Sequence, residues 1–186
     1  MAIILASQSP RRRELMGLFR MPFTVCVADI DETMDSSKSP EREVARVSAL
    51  KAGAVDRQAG DIVIAADTIV VCDGQVLGKP KDEQDAFRML KMLSGKTHQV
   101  MTGLTVQKND HTVTHTEITD IRFRDLTDQE IADYIATKDP MDKAGSYGIQ
   151  SGAALFVEGI VGDYFNVVGL PVCRLGQILK SLEEMA

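Results

Sequence analysis

The sequence predicts an α/β fold. Three observations carry that prediction: apolar runs with the length and β-branching of buried strands, amphipathic stretches opened by helix-capping signals, and turn dipeptides that join further strands as hairpins. At 186 residues, with 44% hydrophobic and 26% charged, the chain is long enough to bury a core and to form a cleft. No internal repeat, low-complexity tract or separating linker interrupts it.

In chain order, Ile3 to Ala6 reads as a short buried strand, and Ser9-Pro10 supplies an N-cap followed by a proline at the first helical position. A helix is expected from there to about Phe19, with Leu15, Leu18 and Phe19 as its packing stripe. Ser39-Pro40 opens a second helix by the same device, with Val44, Val47, Ala54 and Val55 on its inner side. Asp61 to Val71 is nearly continuous in β-branched and small apolar residues, as suits a strand buried on both faces, and Asp73-Gly74 then signals a hairpin. After Pro80, the spacing of Ala86, Met89, Leu90 and Leu93 predicts an amphipathic helix closed by Ser94-Gly95. Val100 to Gln107 and Thr112 to Arg124 read as strands around an Asn109-Asp110 turn. Thr127 with Glu130 has the form of a capping box and opens a helix through Ile131, Tyr134 and Ile135. Ala153 to Val157 and Phe165 to Val168 are expected to be strands, and a last helix is expected from near Pro171 through Leu175, Ile178, Leu179 and Leu182.

Charge narrows the partners. Lys and Arg number 21 against 27 Asp and Glu, so the net charge of −6 repels a polyanion and argues against a nucleic-acid polymer. A small anion is still compatible with a local basic cluster. Cys26, Cys72 and Cys173 are widely separated and form no CxxC pair, which fits a reducing cytoplasmic setting and neither a disulfide framework nor a zinc site. The apolar start, Met1 to Ala6, is too short for a signal peptide or a membrane span.

Several segments carry chemistry-bearing residues. Ser7-Gln8-Ser9-Pro10-Arg11-Arg12-Arg13 places cations in the first turn of a helix, where the dipole disfavours them unless an anion sits among them. Free N–H groups, hydroxyls and guanidinium forks there would hold a phosphate; the alternative is a solvated surface that makes ion pairs with residues such as Glu14. Asp67 lies within the apolar run Ile62 to Val71, where it is either a base or metal ligand or a structural carboxylate bonded to backbone N–H groups. Gly78-Lys79-Pro80 adds a lysine on a rigid turn, without the glycine pattern of a Walker loop. Asp29, Asp31 and Glu32 either hold magnesium together with substrate phosphates or form a solvated loop. His111 and His115 share a strand face but have no third ligand nearby, and His98 reads as a structural hydrogen-bonding group.

These motifs recur together in one known arrangement. Ile4-Leu5-Ala6-Ser7-Gln8-Ser9-Pro10-Arg11-Arg12, Ala65-Ala66-Asp67-Thr68, Gly78-Lys79-Pro80, Leu93-Ser94-Gly95-Lys96-Thr97-His98-Gln99-Val100, Asp142-Lys143-Ala144-Gly145-Ser146-Tyr147-Gly148-Ile149-Gln150 and Val168-Gly169-Leu170-Pro171 resemble the Maf family over nearly the full length. The resemblance implies one Maf-like nucleotide pyrophosphatase domain over residues 1–186, with a mixed twisted sheet, flanking helices and two lobes around a central cleft, similar to the inosine triphosphate pyrophosphatase fold. It implies hydrolysis of dTTP and UTP, a Mg2+ or Mn2+ cofactor, and a homodimer. It casts Asp67 as proton acceptor, Arg11, Thr68 and Gln150 as substrate-class determinants, and Ser7, Arg12, Glu32, Lys51 and Lys79 as lining the triphosphate and metal site, with Glu32 and Asp67 on the metal. Acting on 7-methyl-GTP, or binding nucleotide as a cell-division regulator, are the other activities it suggests. Where the family commonly follows this glutamine with glycine, the chain has Ser151 before Gly152.

Overall fold

The computed structural model describes residues 1–184. Its elements are β1 (Ile3–Leu5), α1 (Pro10–Gly17), β2 (Thr24–Val25), α2 (Pro40–Gly53), β3 (Ile62–Cys72), β4 (Gln75–Leu77), α3 (Glu83–Leu93), β5 (Thr97–Lys108), β6 (His111–Phe123), α4 (Asp128–Ala136), β7 (Val157–Val161), α5 (Tyr164–Val168) and α6 (Val172–Glu184). The strands form a mixed sheet in the order β2-β1-β3-β5-β6-β7, with β4 paired to β3. The α/β class predicted from the sequence is the class observed. The chain divides into two compact units, and the long strands β3, β5 and β6 each contribute residues to both.

The first unit takes in Met1–Asp67, Thr102–Glu117 and the chain from Gly169 on. In it, β1 lies between β2 and β3 and runs parallel to both, with Leu5 opposite Val25 on one side and Ile64 on the other. Ala6 extends that pairing by donating its N–H to the Ile64 carbonyl at 2.8 Å. Ile4, Ala6, Ala52, Val55, Val63 and Ala65 make a buried cluster of small and β-branched side chains, so α2 packs close against the sheet. Gly103 in β5 permits the closest approach: a Cβ there would lie 2.3 Å from the Val44 carbonyl oxygen. Beside it, the hydroxyls of Ser48 and Thr105 hydrogen-bond at 2.8 Å.

The second unit comprises Thr68–Met101 and Ile118–Val168. Asp73-Gly74 turns β3 into β4, with Cys72 opposite Gln75, as the dipeptide predicted. α3 buries Ala86, Met89, Leu90 and Leu93, the predicted stripe. α4 opens on a complete capping box: the Thr127 hydroxyl accepts from the Glu130 N–H, and the Glu130 carboxylate accepts from the Thr127 N–H at 2.9 Å. β7 pairs antiparallel with β6.

Four expectations need correction. Ala153 to Val157 is not a strand. Gly152–Phe156 forms a 3-10 turn with Ala153 and Phe156 buried three residues apart, a period that alternation in a strand would not give, and the strand is Val157–Val161. Phe165 to Val168 is helical, because the Asp163 carboxylate accepts the Phe165 N–H at 2.7 Å and Asn166 points inward to the Val100 carbonyl at 3.1 Å. The first helix ends at Gly17, which leaves Leu18 beyond its last turn and 59% exposed, while Met16 takes the inner position. Ala54 lies past the end of α2 and is exposed, whereas Val44, Val47 and Val55 are buried as expected.

Candidate functional site

In the first unit, five of the residues expected at the site meet. Ser9 caps α1 and Pro10 starts it, which places Arg11 and Arg12 in the opening turn, just after the short loop from β1 that carries Ser7. Arg12 reaches back, donating from Nη1 to the Ser7 hydroxyl at 3.1 Å and from Nε to the Gly169 carbonyl at 2.7 Å. The Val168-Gly169-Leu170-Pro171 motif thereby has a physical task, since its carbonyl fixes the plane of the guanidinium. Burial and the neighbouring charge of Arg11 pull the Arg12 pKa down, and the negative charges of Asp67 and Glu32 oppose them.

Lys51, in the last turn of α2, sits between two carboxylates. Its Nζ is 2.7 Å from Asp67 Oδ1 and 3.0 Å from Glu32 Oε2. The lysine and Asp67 are nearly enclosed, with side chains 15% and 13% exposed, whereas Glu32 is 57% exposed. Asp67 is thus joined to a charged side chain, the Lys51 ammonium. Two cations, Arg12 and Lys51, face two carboxylates, Asp67 and Glu32, in this corner of an acidic chain.

The loop that carries Glu32 is tied to α2 by a pair the sequence reading missed. Buried Glu43 accepts the Asp35 N–H at 2.8 Å, and Arg46 binds Glu43 while donating to the Thr33 carbonyl at 2.7 Å. A charged residue three positions before an arginine on a helix was the available signal, but such pairs are common on solvated faces. Of the acidic run, Asp31 instead caps its own loop by accepting the Thr33 N–H at 2.9 Å, and Asp29 is exposed.

Among the described residues no group of three or more His, Cys, Asp or Glu side chains is arranged to hold a metal ion. Glu32 and Asp67 do fit a cation of another kind. Magnesium commonly takes one or two carboxylates and completes its shell with substrate phosphates and water, and here two carboxylates already share one positive group.

In the second unit, Thr68, Lys79 and Gln150 are half-buried, exposed and exposed respectively. Their motifs are nevertheless brought together. Gly145, at φ 69°, lies against Val70, where a Cβ would come within 2.7 Å of Val70 Cγ2, and its N–H donates to the Gly78 carbonyl at 3.1 Å. The Leu93 to Val100 motif joins them through His98, whose Nε2 is 2.8 Å from the Tyr147 hydroxyl and whose ring packs edge-on against Phe123. Burial pulls the His98 pKa down to about 4.

The family model described as Maf-like protein matches residues 2–182. The chain belongs to the Maf family. A dTTP/UTP pyrophosphatase of Bacillus cytotoxicus is 50% identical over 184 residues, covering 98% of this chain and 96% of that protein. A second dTTP/UTP pyrophosphatase, of Bacillus cereus, is 48% identical over 182 residues, 97% of this chain and 95% of its own. The solved structure of a HAM1 protein from Coxiella burnetii aligns with a TM-score of 0.54 at 16% identity, over 97% of this chain and 100% of that one. At that identity the likeness speaks for the fold alone, and it agrees with the inosine triphosphate pyrophosphatase-like architecture expected of a Maf chain. No helix among the described residues is long and apolar enough to cross a membrane.

Proposed function

We propose that this Maf-family chain hydrolyses dTTP and UTP to the nucleoside monophosphate and pyrophosphate, with Asp67 as proton acceptor. The observation that carries the reading is Lys51 held at 2.7 Å from Asp67 and 3.0 Å from Glu32 beside Arg12. It comes in a chain 50% identical over nearly its whole length to a dTTP/UTP pyrophosphatase.

Cleavage between the α and β phosphates needs an in-line water, a group to take its proton, and positive charge around the phosphoryl oxygens. Asp67 orients the water and takes its proton. Ser7, Arg11, Arg12, Lys51 and Lys79 hold the phosphates, Arg12 with its fork already fixed by Ser7 and Gly169. A divalent cation, Mg2+ or Mn2+, held by Glu32 and Asp67, would supply charge neutralisation on the triphosphate. Thr68 and Gln150 discriminate the substrate; a carboxamide offers an acceptor and donors that match the N3-H and a neighbouring carbonyl of uracil or thymine, and cytosine lacks that N3-H.

The test is a chromatographic assay of dTTP, UTP, CTP, GTP and 7-methyl-GTP with Mg2+ or Mn2+, reading monophosphate and pyrophosphate. The expected result is turnover of dTTP and UTP above the rest, abolished by a chelator. Release of orthophosphate with a nucleoside diphosphate, or no product with either metal, overturns the reading. We also place the enzyme in the cytoplasm, supported by three free cysteines, and read it as a homodimer. Exposed Leu155 and Val161, at 76% and 73%, support the dimer. Light scattering that finds a monomer under assay conditions removes it.

A further inference from the structure

The turn that carries Gln150 is anchored on both sides. Gly145 to Ile149 are all buried, and Gln150 alone emerges. Before it, Tyr147 packs edge-on against Phe123 at 4.8 Å between centroids, and the Gly148 N–H donates to the Tyr134 hydroxyl at 3.0 Å. After it, the Ser151 N–H closes the turn on the Gly148 carbonyl at 3.1 Å. The Ser151 hydroxyl lies 2.9 Å from that same carbonyl and 2.5 Å from Asp139 Oδ2.

Asp139 is where these bonds converge. Its Oδ2 also accepts the Tyr134 hydroxyl at 2.5 Å, and its Oδ1 faces the Lys143 ammonium at 3.0 Å. The directions are mutually consistent: Gly148 donates to Tyr134, Tyr134 and Ser151 donate to Asp139 Oδ2, and the Lys143 ammonium on Oδ1 favours the ionised carboxylate as their acceptor. Burial pushes the Asp139 carboxyl up, but the bonds from Ser151, Tyr134 and Lys143 outweigh it and leave the pKa below its ordinary value. Burial and the Asp139 carboxylate push the Tyr134 hydroxyl up, so it stays a donor.

We propose that Asp139, acting through the Ser151 and Tyr134 hydroxyls, is the positioning residue that sets base selectivity by fixing the turn from which Gln150 extends. This rests on the reading of Gln150 as the group that meets the base. A carboxamide on a mobile turn can approach either pyrimidine and, by rotating, satisfy the donor–acceptor pattern of each. Anchoring the backbone on both sides restricts the placements open to it, and the ordering is done before the nucleotide arrives. The Ser151 hydroxyl thus adds a side-chain bond to the turn that carries Gln150.

The experiment compares kcat and KM for UTP and CTP in the wild type, Ser151→Ala, Asp139→Asn and Gln150→Ala, with thermal melts of each. Loss of one such bond is expected to raise KM for UTP about tenfold, to narrow the UTP-over-CTP preference about as much, and to hold kcat within about twofold. If Gln150→Ala leaves the preference unchanged, glutamine does not read the base, and this inference falls with that reading. If Gln150→Ala narrows the preference but Ser151→Ala and Asp139→Asn keep the wild-type preference and KM, the positioning role alone is overturned. Equal losses on both nucleotides, expressed in kcat, assign the network to scaffolding and overturn it too. Where Asp139→Asn fails to fold, Ser151→Ala decides.

Discussion

Replacing Asp67 with asparagine separates catalysis from stability, because the structure predicts very different magnitudes for the two. The side chain is 13% exposed and 2.7 Å from Lys51, whose second carboxylate partner, Glu32, is at 3.0 Å. Asparagine keeps the shape and one acceptor oxygen, and Lys51 keeps Glu32, so no enclosed cation is orphaned. A charge-assisted bond becomes an ordinary one, a loss of about 1 kcal/mol. For a chain of this length that lowers the melting temperature by about 2–4 °C. Loss of a proton acceptor costs about 10²–10⁴-fold in turnover, or about 3–5 kcal/mol in the barrier. The assay is single-substrate turnover of dTTP with saturating Mg2+, resolved by chromatography, alongside a thermal melt. Turnover within about tenfold of wild type by an intact Asp67→Asn protein lies outside the range for a proton-transferring residue and removes the role. A variant that does not fold makes the Lys51–Asp67 pair part of the scaffold instead.

Other outcomes follow from the same structure. Arg12→Lys cannot make both the Ser7 and Gly169 bonds of the guanidinium, so KM for dTTP should rise about tenfold while the melt falls by only about 2–4 °C; steady-state kinetics at fixed metal and a thermal melt check it. His98 is buried neutral with its pKa pulled from 6.5 to about 4. The unfolded chain therefore binds a proton that the folded one does not, and stability is full above about 6.5 and falls as pH drops toward about 4, by about 3 kcal/mol in all. Urea melts across that window should show a shallower loss in His98→Gln, and identical slopes would contradict the assignment. Gly103→Ala forces a Cβ to within 2.3 Å of the Val44 carbonyl oxygen, so it should cost about 1–3 kcal/mol or more in denaturant melts; a neutral result means α2 shifts freely.

How far the sequence disclosed this molecule depended on the range of the interactions involved. α3 and α4 were legible because their stripes and caps are local, and the Asp73-Gly74 hairpin because its turn chemistry is. The two-residue β2 was not: Thr24–Val25 has no period of its own and is a strand only because β1 lies beside it. Gly152–Phe156 and Tyr164–Val168 were misjudged because short apolar runs suit several conformations, and in the second the deciding groups are polar: Asp163, before the run, and Asn166 within it. At the site, Asp67 stood out as a charge in an apolar strand and Glu32 as part of an acidic run 35 positions earlier, but nothing local joined the two, and Lys51, 16 positions before Asp67, entered only through the family resemblance. Asp139 and Glu43 were missed altogether, because nothing local distinguishes a hub carboxylate from a solvated one.

Lys51 acts as a resident counter-ion. Its ammonium is already stripped of most of its water and turned toward two anions before any nucleotide arrives. On the proposed function, docking a polyphosphate there would be an exchange of partners and not a first dehydration, because the solvation penalty of that cation was met when the chain folded. Added salt, which competes for well-hydrated lysines, has less hold on one that never fully returns to solvent.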